Sequence, residues 1–508
     1  MAETIHPLPP GRRFLATSST MMATLMVVID TTIANVALPH MQATLGATSE
    51  TVAWVLTSYI LATAVAMPVT GWLAAQVGRR SLFTVGVAGF TVASVVCGFA
   101  NSLAMMVIAR LLQGIFGAFI MPLSQAVIYD ITPPEKIVGA ITLWGIAVMV
   151  GPIMGPFVGG YITETLDWRW VFFINVPIGI LTAIGLAALP HSVRERRPFD
   201  FIGFALLALA LGSLQLMLDR GTHLDWFDST EIIVEAGVVV GALWMFSIHI
   251  ATAKHPILPI PLLRDRNMMA ALVPGLVVGG VTMAGAALIS PMLQILLSYP
   301  VYDAGLVLMP RGVGTMAGMI IAGRLLRHVD GRALVAIGLF LLAWSLHMMT
   351  GFNLEMGSRP IIVSGVVQGV GIGLSMMPMN ILAFSTLPVN LRTDGASLYS
   401  LTRNIGGSIS ISVGTALIAS NVQRSHADLG TNITAITMPF LQSGMIEQLG
   451  MEGRALLSLL DAEINRQAMM IAFINDFWVL MWASVVAIPL VMLMRPAKAG
   501  KAPIPVGE

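Results

Sequence analysis

Long apolar runs recur along the whole chain, and they most constrain what it can fold into. An α-helix rises about 1.5 Å per residue, so roughly 20 apolar residues cross the hydrocarbon core of a bilayer. Only 10% of the 508 residues are charged, against roughly 25% in soluble domains. The runs predict fourteen spans, near residues 14–38, 51–74, 81–99, 104–127, 138–163, 170–189, 199–218, 231–251, 270–298, 304–324, 333–351, 361–385, 396–419 and 470–494. We therefore expect an all-α polytopic membrane protein embedded in the lipid bilayer.

The distribution of lysine and arginine predicts the orientation of these spans. An even number of spans places both termini on one side. Two thirds of the 27 Lys and Arg residues fall in segments on that side. The six on the other side are Arg169, Arg220, Arg359, Arg424, Arg454 and Arg466. Because positively charged loops resist translocation, we expect the N and C termini to be cytoplasmic.

Two short strings return at nearly the same spacing, which indicates an internal duplication. Gly71–Arg80 resembles Gly323–Arg332, 252 residues later, and Gln113-Gly114 matches Gln368-Gly369, 255 residues later. Spans 1–6 and 9–14 would then be two related six-helix halves, with spans 7 and 8 inserted between them. The expected domains are residues 1–190, 191–260 and 261–508, the last with an external loop at 420–469.

Composition and missing motifs exclude several classes of function. Cys97 is the only cysteine, so the chain forms no intramolecular disulfide and no cysteine metal cluster. A net charge of +1 argues against a nucleic-acid partner. The sequence has no Gly-x-x-x-x-Gly-Lys-Ser/Thr string, no nucleophile–base pair and no metal-ligand cluster. We therefore expect neither an ATPase nor another enzyme, and no metal or cofactor.

Charged residues stand inside several predicted spans. A charge in the bilayer centre costs about 2.5–3.5 kcal/mol on insertion scales, so such residues are usually functional or paired. Asp30 and Arg110 both fall roughly 9–12 Å below the outer surface, so we expect them to share one layer of a central cavity. They are the first candidates for proton coupling. Arg311 and Arg403 are candidates for a further coupling or cavity charge. The alternative for each is a structural contact that only locks helices together.

Seven strings together resemble those of a known transporter family. They are Ile29–Pro39, Gly71–Arg80, Arg110–Gly117, Gly151–Gly160, Trp168–Pro177, Gly212–Gly221 and Leu401–Ser408. From about residue 25 to 480, the chain resembles the multidrug-exporting, fourteen-span drug:proton antiporters of the major facilitator superfamily. The resemblance implies the major-facilitator fold, with two six-helix bundles plus two inserted helices. It also implies a multi-pass location in the cell inner membrane and export driven by a proton gradient.

Two of these strings carry the expected gating residues. They are Gly71, Gly78, Arg79 and Arg80 in the loop after span 2, and Gly151, Pro152, Gly155, Pro156, Gly159 and Gly160 in span 5. The glycines at i, i+4 spacing form a groove for close helix packing, and each proline removes a backbone donor and bends the span. Ala75 departs from the family pattern, which usually has an acid there. The charge latch between the halves therefore loses the acid that would support it.

The candidate substrate site lies between the two halves, near the middle of the membrane. Its expected lining is mostly apolar or amide, which favours a loose site for lipophilic compounds: Gln113, Met121, Trp144, Met377 and Asn380. The main alternative is a proton-coupled uptake permease for a defined small metabolite, which would share the fold. The resemblance further implies a periplasmic adaptor and an outer-membrane channel as partners. The polar segment from about Asn421 to Met469 is the candidate contact, unless it is only a solvated loop.

Overall fold

The structure is a computed structural model that describes residues 9–190, 194–195, 197–431 and 451–496. Fourteen main helices are numbered here in chain order. They are α1 (Pro10–Leu45), α2 (Trp54–Val77), α3 (Arg79–Gly98), α4 (Leu103–Ile131), α5 (Ile137–Thr165), α6 (Trp170–Leu186), α7 (Phe201–Arg220), α8 (Thr230–Thr252), α9 (Arg266–Pro291), α10 (Val301–Leu325), α11 (Gly331–Met349), α12 (Ser358–Phe384), α13 (Arg392–Thr431) and α14 (Met451–Val491). Each overlaps one predicted span.

Within the described residues, thirteen of these helices are long and apolar enough to cross a membrane. The remaining one, α6, is shorter, and its first turn, Trp170–Phe173, is separated at Ile174 from the helix Asn175–Leu186. The predicted all-α polytopic fold is confirmed.

Both ends of the described chain lie on one face of the helix bundle. Ser19, in the first turns of α1, packs against Gly185 at the end of α6. Asn267, at the start of α9, accepts a 2.7 Å hydrogen bond from the backbone N–H of Arg495, just past α14. An Asp130–Arg392 ion pair then joins the end of α4 to the start of α13 on this face. We call it the terminal face, and the other the opposite face.

Aspartate caps begin several helices at the terminal face. Asp200 accepts the backbone N–H of Gly203 at 2.9 Å for α7, and Asp265 accepts that of Met268 at 2.8 Å for α9. These bonds satisfy amide groups that have no partner inside the helix. Burial raises the pKa of Asp200, but hydrogen bonds from the Gly203 amide, His249 and the Ile257 amide together lower it below its usual value.

The helices form two bundles with the same internal contacts. In the first, α1 packs against α4, α5 and α6, while α4 also contacts α2 and α3, and α3 contacts α6. In the second, α9 packs against α12, α13 and α14, while α12 also contacts α10 and α11, and α11 contacts α14. Adding eight to each helix number of the first bundle reproduces the second. This is the arrangement that the repeated strings predict, with α7 and α8 between the halves.

The inserted helices pack mainly against each other, and α7 touches both halves. It contacts α2 of the first bundle and α13 of the second. The Ser412 hydroxyl of α13 donates a 2.6 Å hydrogen bond to the carbonyl of Leu218 in α7. At the terminal face, His249 of α8 is 2.7 Å from the Asp200 carboxylate. The Ser412 bond attaches α7 to the second half, whereas the His249 contact joins the two inserted helices to each other. At the terminal face, the Trp72 indole of α2 donates a 2.9 Å hydrogen bond to the carbonyl of Arg197, just before α7.

The expected external loop is partly helical. Helix α13 continues to Thr431 and α14 begins at Met451, so both extend well beyond the predicted spans. A 3.0 Å contact between His426 and Asp461 joins the two extensions. A hydropathy pattern places the end of a span where polar residues begin. The helix itself can continue through polar residues in water, because its backbone hydrogen bonds do not depend on hydropathy. The rest of the predicted loop, residues 432–450, lies outside the described residues.

Candidate functional site

The carboxylate of Asp30 lies in a fully buried polar cluster inside the first bundle. Its Oδ2 accepts a 2.7 Å hydrogen bond from Nη1 of Arg110. Its Oδ1 accepts hydrogen bonds from Nε2 of Gln113 at 2.9 Å and Nδ2 of Asn175 at 2.6 Å. All four residues have zero exposed surface. Three donors on two oxygens fit an ionised carboxylate, which only accepts hydrogen bonds.

Four helices bring this cluster together. Asp30 comes from α1 and Asn175 from α6, while Arg110 and Gln113 lie three residues apart on α4 and so share one face. Gln113 also donates to the Ser94 hydroxyl of α3 at 2.8 Å and accepts from Arg110 at 2.6 Å. Both ends of the glutamine amide are therefore fixed, and the cluster ties α1, α3, α4 and α6 to one another.

The guanidinium of Arg110 is held by more than its ion pair. Its Nε donates to the carbonyl of Val55 at 3.0 Å, and its Cζ lies 4.4 Å from the ring centroid of Tyr59 and 5.7 Å from that of Phe172. A desolvated cation over an aromatic face gains about 2 kcal/mol. Nη2 has no hydrogen-bond partner among the described residues. Asp30 is therefore the one acidic partner of this guanidinium among the described residues.

Asp30 and Arg110, which their depth in the spans predicts to share one layer, are in direct contact. The structure does not place them in a cavity between the halves, because α3 and α6 enclose them within the first bundle. Gln113 was expected to line the substrate cavity and belongs to this cluster instead. Asn175 and Ser94 were missed as partners. Asn175 stands within one of the family-like strings, but no spacing rule indicated that it reaches Asp30.

The other expected cavity residues lie where the two bundles meet. Trp144 of α5 is buried and donates to the Ser124 hydroxyl at 3.0 Å. Trp144 and Met377 of α12 belong to one large apolar cluster of buried residues, and Met121 of α4 packs against that cluster. Methionine and tryptophan present large, adaptable apolar surfaces. This part of the interface therefore presents large, adaptable apolar side chains from both bundles.

Asn380 forms a polar connection between the halves. Its Oδ1 accepts a 2.7 Å hydrogen bond from Nε2 of Gln125, and its backbone carbonyl accepts one from the Tyr129 hydroxyl at 3.2 Å. Both donors lie on α4, whereas Asn380 lies on α12. In this state the amide closes the interface rather than lining an open cavity.

Arg311 and Arg403 both lie inside the second bundle. Arg311 of α10 donates through Nη2 to the carbonyl of Thr282 at 3.0 Å, and Arg403 of α13 packs against Gly279 of α9. Neither forms an ion pair within the described part of the chain. The structure therefore places them as half-buried cations and brings neither into the Asp30 cluster.

The loop string after α2 joins the halves at the terminal face. Arg79 forms an ion pair with Asp130 at the end of α4, and Asp130 is also 3.1 Å from Nη1 of Arg392 in α13. Arg79 further donates to the carbonyl of Val389 at 2.8 Å. Arg80 instead bonds the carbonyl of Leu189 within the first half, at 3.1 Å. A charge latch is thus present although Ala75 lacks the usual acid, since Asp130 supplies it.

The two glycines of this string serve different purposes. Gly78 has φ of 88°, a value that L side chains rarely adopt, and it separates α2 from α3. At Gly71 an added Cβ would overlap the carboxylate of Asp394, which lies in the first turn of α13. Gly71 therefore permits close contact between α2 and α13. Nη1 of Arg197, from the segment before α7, lies 3.7 Å from this carboxylate.

The glycines of α5 pack against α1. Added Cβ atoms at Gly151 and Gly155 would overlap the side chains of Val28 and Thr32, and at Gly159 one would lie 3.4 Å from Cα of Ile33. Helix α5 runs unbroken through Pro152 and Pro156, so these prolines do not end it. The side chain of Pro156 lies outside the described residues.

Two glycine-to-alanine variants of α5 test its packing against α1. Gly151→Ala would place a Cβ 3.1 Å from the backbone carbonyl carbon of Val28, whereas Gly160 has nothing within 4 Å. We expect Gly151→Ala to destabilise the protein by about 1–3 kcal/mol, since overpacking forces the helices apart. Gly160→Ala on the same helix is the matched control and should leave the midpoint of thermal unfolding in detergent unchanged or slightly higher. Equal midpoints for both variants would contradict a tight α1–α5 contact.

Comparison with known proteins places the chain in a family. The Major Facilitator Superfamily matches residues 20–411. The multidrug export protein EmrB of Escherichia coli K12 is 33% identical over 502 residues, covering 96% of this chain and 97% of that protein. The fatty acid resistance protein FarB of Neisseria gonorrhoeae is 33% identical over 494 residues, and the alignment covers 96% of this chain and 97% of FarB.

Solved structures agree on the fold. The proton:xylose symporter XylE, a major facilitator superfamily protein solved with 6-bromo-6-deoxy-D-glucose, aligns with a TM-score of 0.63 at 13% identity. The alignment covers 97% of this chain and 98% of that one. The resemblance found in the sequence strings is therefore confirmed over nearly the whole length. This chain belongs to the major facilitator superfamily and is a multi-pass transporter of the inner membrane, not an enzyme.

Proposed function

We propose that this protein exports lipophilic small molecules in exchange for protons, and that Asp30 carries the proton. Relatives named for multidrug export match 96% of the chain, which supports export of small molecules. The observation that carries proton coupling is the buried Asp30–Arg110 pair, 2.7 Å apart at zero exposure. An intramembrane ionisable residue marks a functional site by default, and acids inside transporters commonly form proton relays with a charged partner.

Protonation of Asp30 would change the whole cluster. The ionised carboxylate accepts hydrogen bonds from Arg110, Gln113 and Asn175. A protonated carboxyl has one oxygen that donates, so one of these donors loses its acceptor, and Arg110 loses its counter-charge. Because α1, α4 and α6 each contribute a member, gain or loss of the proton would favour a different packing of these helices. Substrate binding would favour the ionised form and an outside proton the neutral one.

The substrate would bind between the halves, near Met121, Trp144, Met377 and Asn380. This surface is apolar apart from amide and indole groups, which supports a lipophilic substrate. Gln113 is reassigned to the proton-carrying cluster, while Arg311 and Arg403 remain candidates for a charge that responds to it. A defined nutrient would require paired polar anchors, so the structure offers less support for the uptake alternative.

We place both termini in the cytoplasm, as the positively charged loops predict. The terminal face would then be cytoplasmic. Among the described residues, hydrogen bonds between the halves are concentrated towards the terminal face. They include the Gln125–Asn380 bond and the Arg392–Asp130 pair. The latch at Arg79 would therefore close the cytoplasmic gate, and the glycines of α5 would act in the opening. We also propose the domain limits 1–190, 191–260 and 261–508, which the packing of the helices into two bundles and an inserted pair supports.

A membrane potential supplies enough energy for such an exchange. One elementary charge crossing 100 mV yields about 2.3 kcal/mol. Since about 1.4 kcal/mol corresponds to a tenfold ratio, one proton could sustain roughly a fiftyfold concentration ratio of a neutral substrate. The direct test is pH-driven transport in proteoliposomes, which also separates export by antiport from uptake by symport.

We further propose a periplasmic adaptor, linked to an outer-membrane channel, as partner. The helical extensions of α13 and α14 carry polar residues beyond the predicted spans on the opposite face, which supports a contact with an adaptor there. Shortening the segment 432–450 should reduce co-purification of the adaptor several-fold, while a variant altered in the outer loop between α11 and α12 should recover it fully. Undiminished recovery with the shortened segment would exclude this contact.

A further inference from the structure

The second bundle contains an acid that the proposed exchange does not use. Asp476 of α14 is 1% exposed, and neither carboxylate oxygen has a hydrogen-bond partner among the described residues. Asp30, by contrast, has three donors. An ionised carboxylate without a partner in apolar surroundings is strongly disfavoured, so such a group either holds a proton or awaits a cation.

A cleft of about 200 Å³ lies beside this carboxylate, between α9, α13 and α14. Besides Asp476, the Ser410 hydroxyl is the only polar side chain among its lining residues. The rest of the wall is aliphatic and includes Leu276, Val277, Val281, Leu288, Val413 and Leu480. Two lining residues, Val413 and Val479, are 39% and 46% exposed, and both lie within apolar spans of α13 and α14. The cleft therefore opens sideways, towards the acyl chains.

Gly414 keeps space free next to the acid. An added Cβ there would lie 3.3 Å from Oδ2 of Asp476 and 3.2 Å from Cδ1 of Leu288. The cleft extends from Asp476 to Ala483, seven residues or roughly 10 Å along the helix. That length matches an alkyl chain of about eight to ten carbons. A proton alone would need no such space.

We propose that this lateral cleft binds amphiphiles with an apolar tail and a cationic head, with Asp476 as the counter-ion. The tail would replace lipid against the aliphatic walls. The head would donate to the carboxylate and to Ser410, and the pair would gain strength from the low dielectric of the site. The proposal concerns binding in the second bundle, so it stands or falls independently of proton exchange at Asp30.

Binding of radiolabelled decylammonium to the full-length protein in nanodiscs tests this, with empty nanodiscs as background. We expect saturable binding that unlabelled decylammonium displaces and that decanol or decanoate displaces poorly. Asp476→Asn should weaken it about tenfold or more, because the charge-assisted contact is lost. Glu463→Gln, which also converts an acid to its amide but at an exposed position of α14, should bind like the natural protein.

A second variant tests the cleft without altering the acid. Val479→Trp places a large ring at the exposed mouth, where it is tolerated on the lipid side, and should reduce decylammonium binding at least as much as Asp476→Asn. Equal binding by the natural protein and Asp476→Asn would overturn the proposal. So would equal displacement by decanol and decylammonium, or undiminished binding to Val479→Trp.

Discussion

Asp30→Asn is expected to abolish pH-driven transport while the protein, though destabilised by the loss of Arg110's counter-charge, still folds and inserts. Asparagine keeps the size of the side chain and still accepts hydrogen bonds through its Oδ1, but it cannot take up a proton at neutral pH. Uphill transport should fall to the level of empty liposomes, a loss of at least about a hundredfold. Substrate binding, measured by fluorescence titration with ethidium, should remain within about tenfold of the natural protein.

Asp167→Asn is the matched control, since Asp167 is an acid of the same half that is about half exposed, with 53% of its side chain accessible. It should retain full coupled transport. Coupled transport by Asp30→Asn at the natural rate would show that Asp30 carries no proton, and the pair with Arg110 would then be a structural lock.

Arg110→Leu should be among the most destabilising substitutions in the chain. It would leave the Asp30 carboxylate at zero exposure without its charged partner. Removing one member of a buried ion pair typically costs about 3–5 kcal/mol, since the remaining charge is buried and unpaired. The double variant Asp30→Asn/Arg110→Leu removes both charges and should recover at least half of that loss.

The stability of these variants can be measured by labelling Cys97. It is the only cysteine of the 508 residues, it is fully buried, and its Sγ lies 3.7 Å from Oε1 of Gln113 in the same cluster. A maleimide dye that fluoresces on reaction with the thiol therefore reports thermal opening of the first bundle. If the losses in the midpoint of thermal unfolding simply add, the double variant will be no more stable than Arg110→Leu. That result would mean that the two charges do not interact energetically.

Much of the fold could be predicted from the sequence because hydropathy and helical rise act locally. A run of apolar residues must cross the bilayer as a helix, and the rise per residue then sets the depth of a side chain. This is why Asp30 and Arg110 could be placed in one layer. Depth does not determine the direction in which a helix presents its side chains, which depends on its rotation against neighbours. The sequence therefore could not show that both residues face the interior of the first bundle.

The latch illustrates a second limit. Ala75 replaces an acid that family members usually have, so the loop string alone predicts a weakened connection between the halves. Asp130 lies about fifty residues further along the chain, and only packing of α4 beside α2 and α13 brings it to Arg79 and Arg392. A charge in one element can thus be supplied by another, and a motif read in isolation does not reveal it.

Asp476 could have been found from the sequence. It stands within the predicted span at residues 470–494, and an acid inside a span indicates function by the same argument that singled out Asp30. What the sequence could not supply is the absence of a partner among the described residues, or the cleft beside it. Those depend on Gly414 of α13 and on the aliphatic side chains of α9.

Ethidium accumulation in proteoliposomes under imposed pH gradients of either direction tests the central claim most directly. Ethidium keeps its positive charge at all relevant pH values, so it does not distribute passively with pH. Exchange of substrate for protons predicts accumulation when the lumen is acidic, since protons leaving the vesicle drive ethidium inward, and none when the exterior is acidic or when protein is absent. Accumulation only with an acidic exterior would instead show symport and contradict the proposed exchange.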